Sequence, residues 1–505
     1  MMKNKILKKN KISGREILQK KIIDMPEKPG IYQMLGDKKN VLYVGKAKNL
    51  KKRLLSYARP TGNNNRITKM ISLIKNVDIT ITETEMDALL LELNLIKEKK
   101  PRYNIMLRDD KTFPYIFISS QHDFPRLEKH RGSRSRPGHY YGPFANAGAV
   151  NSVLNTLQKV FLLRSCSDRE VEAGNRPCLN YHLKRCSGPC GSKISKEEYR
   201  EIVNDVRKFF SGKSTAIQKK LSNKMQNASK NKEYEIAAQY RDRISALANM
   251  SKSDTINPQF LEEADVFAVS KINNKSCVQV FFFRSWRNLG NKAYFPIHTN
   301  DVSEKDILQS FIPQFYQNKP IPKLILISHD VDEKKLLSVT FSKKEKRKIK
   351  IIKPKRGERQ KIINHALKNS KNALQRYQNN LLSNKKNLLL LQKAFQLDKV
   401  PKRIEIYDNS HIQGSYAVGA MVVATEEGLD KGEYRKFNIK SAKTNDDFAM
   451  MNEVIERRFK KISKNQSFDR SKYPDIILID GGKGQYPSTK KALDKLEITD
   501  VKIIS

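Results

Sequence analysis

Two distant stretches of this chain repeat one order of elements, and that repetition limits the available folds more than any other feature. From Asp265 to about Lys350, VFAVSKI, SCVQVFFFR and NKAYFPI read as three consecutive strands, SEKDILQSFIPQFYQ as a helix, and KLILISHD as a buried strand. From Arg403 the order returns, with IEIYDNS, YAVGAMVVATE and EYRKFNI as strands, DDFAMMNEVIERRF as a helix and DIILIDGG as the buried strand. Recurrence of a whole order predicts two related α/β units. Only the second copy carries acids at the expected edge: Asp408 ends its first strand and Asp480 its fourth, so in neighbouring strands both carboxylates would emerge together, which suits two-metal hydrolysis. The equivalent places in the first copy read Val269 or Ser270 and Ser328 or His329, which give a hard dication no carboxylate pair. A catalytically silent scaffold is expected there. Between the copies, Glu358 to Leu397 reads as one long basic helix or two shorter ones.

The other informative stretch is PGIYQMLGDKKNVLYVGKAKNLKKR, Pro29 to Arg53. Ile31–Leu35 and Val41–Val44 read as strands joined by the turn residues Gly36 to Asn40, and Asn49–Tyr57 as a helix. Tyr32 and Tyr43 then lie on neighbouring strands, Gly30 and Gly45 allow close approach, and Lys46 and Arg53 bring fixed positive charge to the same end. A tyrosine hydroxyl ionises near pH 10 in isolation, so its use as a general base needs a stabilising cation, and Lys46 is placed for that. GIY, ten residues, then YVGKAKNLKKR closely resembles the GIY-YIG nuclease family, and its lysine-rich continuation the N-terminal domain of the UvrC family of excision-repair nuclease subunits. The resemblance implies Tyr43 as base, Tyr32 as its hydrogen-bonding companion, Lys46 and Arg53 as phosphate clamps, Glu92 on a later amphipathic helix as ligand of one divalent cation (magnesium or manganese), and Asn104 as a polar positioning residue. Glu85 and Glu98 compete for the ligand role but read as a first-turn acid and a solvated charge.

Composition sets the partner class. Lys plus Arg number 98 against 53 acids, a formal charge of +45 spread through every segment, so a polyanion is expected, without sequence selectivity. At 505 residues the chain has room for three or four domains. The N-terminus MMKNKILKKNKISG lacks the apolar core of a secretory signal and no apolar run approaches the length of a membrane span, so the expectation is cytoplasmic.

Four of the five cysteines, Cys166, Cys178, Cys186 and Cys190, fall within 25 residues, while Cys277 sits alone in an apolar strand and reads as a core residue. In a reducing compartment four clustered thiols argue for a metal or an iron–sulfur cluster, with His182 a substitute ligand. Spacings of eleven, seven and three do not match a zinc ribbon, and a reduced, metal-free segment is the alternative. The segment also resembles the cysteine-rich region of the UvrC family, where an iron–sulfur cluster is implied for some members. Next, Ser214–Ser229 and Glu233–Asn249 read as a helical pair too small to stabilise itself. It resembles the UVR motif, which implies docking onto UvrB; a linker packed on this chain's own domains is the alternative.

The repeated order is the opening of an RNase H-like fold, and YDNSH followed by ILIDGGKGQ resembles the C-terminal nuclease domain of the UvrC family. Asp408 and Asp480 match its two aspartates; His411 belongs to the strand-end motif, and the family's catalytic histidine would lie beyond Ser505, as would a tandem helix-hairpin-helix module. The expectation is therefore a chain whose second nuclease is incomplete, retaining the 3′ cut but not the 5′ cut. The fold class expected is multidomain α/β: a basic extension over 1–24, a GIY-YIG domain over 25–105, a linker and Cys-rich region over 106–210, the UVR hairpin over 213–250, a non-catalytic RNase H-like unit over 260–355, a basic helical connector over 356–400 and an incomplete RNase H-like domain over 401–505. The function expected is metal-dependent incision of damaged double-stranded DNA within a UvrABC system, with UvrB a direct partner, UvrA an indirect one and no membrane. A non-catalytic DNA-binding adaptor and a free-standing GIY-YIG endonuclease are the rivals, the latter lacking any base-reading module.

Overall fold

Capping residues start several N-terminal elements, the first of them within the stretch expected as a basic extension. Ser13 opens α1 (Gly14–Ile23) with a capping box, and the strands β1 (Gly30–Leu35) and β2 (Val41–Ala47) pair antiparallel across a short 3-10 turn at Asp37–Lys39. The side chain of Asn49 accepts a hydrogen bond from Lys52 N (2.9 Å) to begin α2 (Leu50–Ala58); α3 (Asn65–Ser72) and β3 (Asn76–Ile81) follow, and Thr84 caps α4 (Glu85–Lys99). The sheet order is β2-β1-β3, with Leu18, Met34, Leu50, Leu54, Met70 and Val77 in its core. The computed structural model describes residues 13–59, 65–107, 113–174, 176–212, 214–252, 261–412, 415–442, 446–463, 473–480 and 484–505. Half of the expected N-terminal extension, the side chain of His411, and Gly481, Gly482 and Lys483 of the C-terminal motif lie outside the described residues.

The middle region holds a small antiparallel sheet, β5-β4-β6, from β4 (Pro114–Ser119), β5 (Leu127–Arg131) and β6 (Gly138–Tyr141). Helices follow: α5 (Ala147–Phe161), the short α6 (Asp168–Glu172) and α7 (Leu179–His182), α8 (Lys196–Phe210), then the expected pair as α9 (Ser214–Lys230) and α10 (Tyr234–Lys252). This pair was expected to need a partner or a mate helix pair, with packing on the chain's own domains as the alternative. Its Ile217, Leu221 and Leu247 share a core with Val150, Leu157, Val203 and Phe209, so one face packs on the chain itself, while Tyr234 and Ile236 remain exposed at 67% and 43%.

Both repeated units form mixed sheets, of five strands in the first and six in the second. The first, β7 (Glu263–Ile272), β8 (Lys275–Arg284), β9 (Arg287–Tyr294), α11 (Glu304–Phe315), β10 (Leu324–Ile327), α12 (Lys334–Glu345) and β11 (Lys350–Ile352), has the order β11-β10-β7-β8-β9 and buries Cys277 as expected. One 37-residue helix, α13 (Glu358–Ala394), follows, its Ile362, Ile363 and Ala366 packed under the first sheet. The chain divides into two compact units near there, Met1–Leu374 and Gln375–Ser505. The second sheet comprises β12 (Arg403–Ile412), β13 (Ser415–Thr425), β14 (Gly428–Leu429), β15 (Arg435–Asn438), α14 (Asp447–Ser463), β16 (Ile476–Ile479), α15 (Gln485–Asp494) and β17 (Lys502–Ile504), ordered β14-β13-β12-β16-β17 with β15 on β13.

Register corrects two expectations. Asp408 does not end its strand, because β13 goes on pairing with β12 past it through Ser410↔Val418. The shorter parallel partner β16 stops beside Tyr407, where Asp480 N donates to Tyr407 O at 3.0 Å, so Asp408 and Asp480 do leave the sheet at one place. In the first unit Ser328 N donates to Phe267 O at 3.0 Å, which makes Phe267 the counterpart of Tyr407 and Ser328 that of Asp480. The counterpart of Asp408 is therefore Ala268, not Val269 or Ser270. Neither place carries a carboxylate, as expected.

Candidate active site

The GIY-YIG-like hairpin brings its chemistry to one pocket because β1 and β2 pair with Tyr32 opposite Gly45 and Met34 opposite Tyr43. Gly45 has to be glycine: a Cβ there would meet the Tyr32 hydroxyl at 2.4 Å and the Tyr43 ring at 2.7 Å. The cavity, about 320 Å³, is lined by Tyr32, Tyr43, Lys46, Arg53, Glu92 and Asn104, so all six expected residues of this domain reach it. Tyr32 is fully buried, its hydroxyl 3.0 Å from that of Tyr57 and 3.4 Å from Nε of Arg53, which donates to it. Glu92 arrives from α4 and accepts from the backbone N of Lys46 at 3.1 Å.

One role differs from expectation, one expected role gains its geometry and one residue was missed. The cation whose field favours ionised Tyr43 is Arg53; the Lys46 ammonium is held by Glu333, with Glu85 3.9 Å away. Asn104 is a splint: its Oδ1 accepts from Val44 N at 2.8 Å and its Nδ2 donates to Val44 O at 2.7 Å, replacing a strand neighbour beside Tyr43. Tyr57 was missed, although Arg53 and Tyr57 stand four residues apart on one helical face, a spacing visible in the sequence. Glu333, Asp301 and Asp306, from the first RNase H-like unit, also line the pocket. No local pattern announces them, because they lie some two hundred residues away in sequence. Of the rival acids, Glu85 does sit in the first turn of α4, and Glu98 is exposed beside Lys99.

Electrostatics keep the phenols of this pocket protonated at rest. The Tyr43 hydroxyl is raised well above its ordinary value by neighbouring Tyr57, by burial and by Glu92, against the lowering effect of Arg53. Burial first, then Tyr57 and Tyr43, raises Tyr32 likewise. Glu92, half-buried as a residue but with an enclosed carboxyl, is pushed up to about 7 by burial and by Glu333, with Lys46 opposing. A desolvated carboxyl with one backbone donor fits a hard dication, since magnesium is held through one or two carboxylates and keeps several waters.

The cysteine segment does not fit its expected group. All five cysteines are free thiols, and Cys186 is pushed up to about 11 by burial and by the fields of Cys166, Cys178 and Cys190, so the four lie near one another. Yet among the described residues no three His, Cys, Asp or Glu side chains converge as a metal holder. At the second site Asp408 is exposed, and its neighbour Asn409, not singled out from the sequence, has a buried Oδ1 without a partner among the described residues and donates through Nδ2 to Asp447 O at 3.4 Å.

Five family models match in chain order: a UvrC-like GIY-YIG domain over 28–105, the UvrC/Cho excinuclease middle domain over 113–209, the UvrB/UvrC motif over 215–249, a UvrC ribonuclease H-like domain over 263–377 and the UvrC RNase H endonuclease domain over 392–505. The UvrABC system protein C of Bartonella henselae is 48% identical over 503 residues, covering 97% of this chain and 76% of its own length. The chain belongs to the UvrC family. A second UvrC relative, UvrABC system protein C of Maricaulis maris, is 47% identical over 491 residues, 97% of this chain and 77% of its own. The magnesium-bound GIY-YIG endonuclease domain of UvrC from Thermotoga maritima is 34% identical, covering 17% of this chain and 94% of that one, with a TM-score of 0.16. As a UvrC-family member the chain is a metal-dependent endonuclease subunit of nucleotide excision repair. No described helix is long and apolar enough to cross a membrane.

Proposed function

We propose that the Tyr43 pocket makes the 3′ incision on lesion-bearing duplex DNA and that the Asp408/Asp480 edge is the metal-holding part of the 5′ incision site. Arg53 supports Tyr43 as the phenolate once the hydroxyl proton has been lost to solvent, and that phenolate takes the proton of the attacking water and returns to the neutral phenol. Tyr57 and Tyr32 hold the hydroxyls in register through their mutual hydrogen bond. Arg53 and Lys46 grip the phosphate, Lys46 once Glu333 releases it. Glu92 holds the dication, which would supply charge stabilisation to the leaving oxygen. Asp408 and Asp480 hold the metal of the second cut. The exposed Tyr234 and Ile236 face of the α9–α10 hairpin supports docking to UvrB, with UvrA acting upstream, and a chromosomal substrate implies the cytoplasm.

The observation that carries this reading is the convergence of Tyr43, Arg53, Lys46 and Glu92 on one cavity. In a nicking assay on lesion-bearing duplex with UvrA and UvrB, Tyr43→Phe should lose the 3′ cut by about 10²-fold or more, with DNA binding unchanged. A 3′ cut at the normal rate would reject the base assignment.

A further inference from the structure

A second cavity, about 470 Å³, lies between β6, α5, the end of α8 and the β8–β9 turn. It is unrelated to either nuclease edge, and its volume falls within the range of small-molecule sites rather than packing voids. Aromatic faces and a guanidinium dominate it: Tyr141 and Phe210 stack at 4.0 Å and 13°, and Arg287 lies 3.8 Å over the Phe209 ring. Tyr140, Tyr141, Phe210 and Leu289 are only half-buried, so the stacked rings are reachable. Two carboxylates also reach the wall, and each has a cation: Glu263 is bidentate with Arg347 at 2.7 and 2.9 Å, and Glu262 lies 3.6 Å from Lys323. The acids therefore do not make this an anionic site.

The cavity is tied to an exposed basic turn. Tyr140 lines it, and the Tyr140 hydroxyl both accepts from Arg136 N at 3.1 Å and donates to Arg136 O at 3.0 Å. That bond fixes the turn between β5 and β6, which carries Arg131, Arg134 and Arg136, all exposed. Arg136 also covers the Phe117 ring at 4.4 Å and pairs with Glu128 at 3.0 Å. A planar, stackable group entering beside a chain of phosphates matches aromatic rings beside a cluster of arginines.

We propose that this cavity holds one unstacked nucleobase of the bound DNA while the Arg131–Arg136 turn holds its flanking phosphates, a proposal that rests on the DNA-substrate reading above. The base extends the Tyr141–Phe210 stack by one layer. The chain's single tryptophan, Trp286, lies between Ser285 and Arg287 of the cavity wall and reports on occupancy. With the full chain, a duplex bearing one bulged adenine should bind about fivefold or more tighter than the fully paired duplex, and should quench Trp286 where the paired duplex does not. Tyr141→Leu and Phe210→Leu should each bring the preference within twofold while leaving paired-duplex affinity unchanged, and Tyr141→Phe should retain it, which separates loss of stacking from misfolding. Arg134→Gln should weaken both duplexes and flatten their salt dependence. Equal affinity for the two duplexes in the unaltered chain, or a preference that survives both leucine substitutions, overturns the pocket while leaving the DNA reading standing; failure to bind either duplex overturns both.

Discussion

The two RNase H-like sheets keep the same buried acid and part company at the acids beside it. Asp265 in the first and Glu405 in the second stand two residues before the strand partners Phe267 and Tyr407, both nearly or fully buried. Asp265 is bound by Arg284 at 2.7 Å and by the Tyr316 hydroxyl at 2.6 Å. Glu405 is bound by Arg403 at 2.8 Å, Arg458 at 2.7 Å and the Tyr407 hydroxyl at 2.6 Å. Each network recruits its arginines from different elements, so the two units anchor the same strand by separate solutions. One residue beyond Tyr407 and Phe267 the resemblance stops: the counterpart of Asp408 is Ala268, and at the end of the parallel strand that of Asp480 is Ser328. The first sheet lacks the acids proposed to hold a metal and keeps the acid that holds its strands, because the two sets occupy opposite faces of the pleat.

The largest expected effect breaks the anchor with more charge around it. Glu405→Gln removes the shared carboxylate of buried Arg403, which keeps only Glu433 at 3.6 Å among the described residues, and of half-buried Arg458, and should destabilise the second unit by about 3–5 kcal/mol, lowering its circular-dichroism transition while the Trp286 fluorescence transition of the first unit stays put. Asp265→Asn leaves one arginine uncompensated but keeps an acceptor for Tyr316; a loss of about 1–3 kcal/mol, read through Trp286, is expected. If both substitutions moved both transitions equally, the anchors would not be separate.

Acid should sharpen the same contrast. Burial raises Asp265 above its ordinary value despite Arg284, whereas Arg458, Tyr407 and Arg403 outweigh burial and hold Glu405 below 4.5. The Glu405 contribution is full above its unfolded value and is lost as pH falls through the lowered one. Asp265 binds its proton more readily folded than unfolded, so acidification favours the first unit. On titration below pH 4.5 the second unit should lose stability first, and in Glu405→Gln that acid-dependent part should vanish.

Metal binding separates the sheets by function. In a Glu92→Gln background, Asp408→Asn should weaken the remaining manganese binding about tenfold or more, roughly 1.4 kcal/mol, with no change in the thermal transition; Ser328→Ala should leave calorimetric titration within twofold. The smallest effect concerns an acid the silent unit does supply. Glu333 occupies Lys46, so Glu333→Ala should raise the 3′ nicking rate at limiting DNA by about threefold, roughly 0.6 kcal/mol; an unchanged rate would mean that Lys46 does not contact phosphate.

What was legible of the architecture rests on local periodicity: the β1–β2 hairpin, the α9–α10 pair, the duplicated order and the long α13 announce themselves through apolar spacing, whereas α1 and the β4–β6 sheet with α5 and α8 stand in stretches read as an extension and a linker. Strand ends were misjudged where partners differ in length, as at Asp408, since one sequence does not reveal how far its neighbour runs. In the nuclease pocket the residues of the hairpin and α4 were found from pattern, yet their division of labour was not. Whether Lys46 or Arg53 serves the phenol depends on Glu333, which only the tertiary fold brings near. Asn104 was assigned polarity when its use is to satisfy both backbone groups of Val44, a demand invisible without the sheet edge. The cysteines cluster in sequence, but nearness along the chain does not by itself point four thiols at one centre.

The most direct measurement is a nicking assay on lesion-bearing duplex, with UvrA and UvrB and across a magnesium titration, comparing the chain with Glu92→Gln, which keeps the side chain's size and its acceptor for Lys46 N. The account predicts that the 3′ cut falls by about 10²-fold or more at every magnesium concentration, with duplex affinity within twofold. A 3′ cut that persists, or that excess magnesium restores in full, would contradict it.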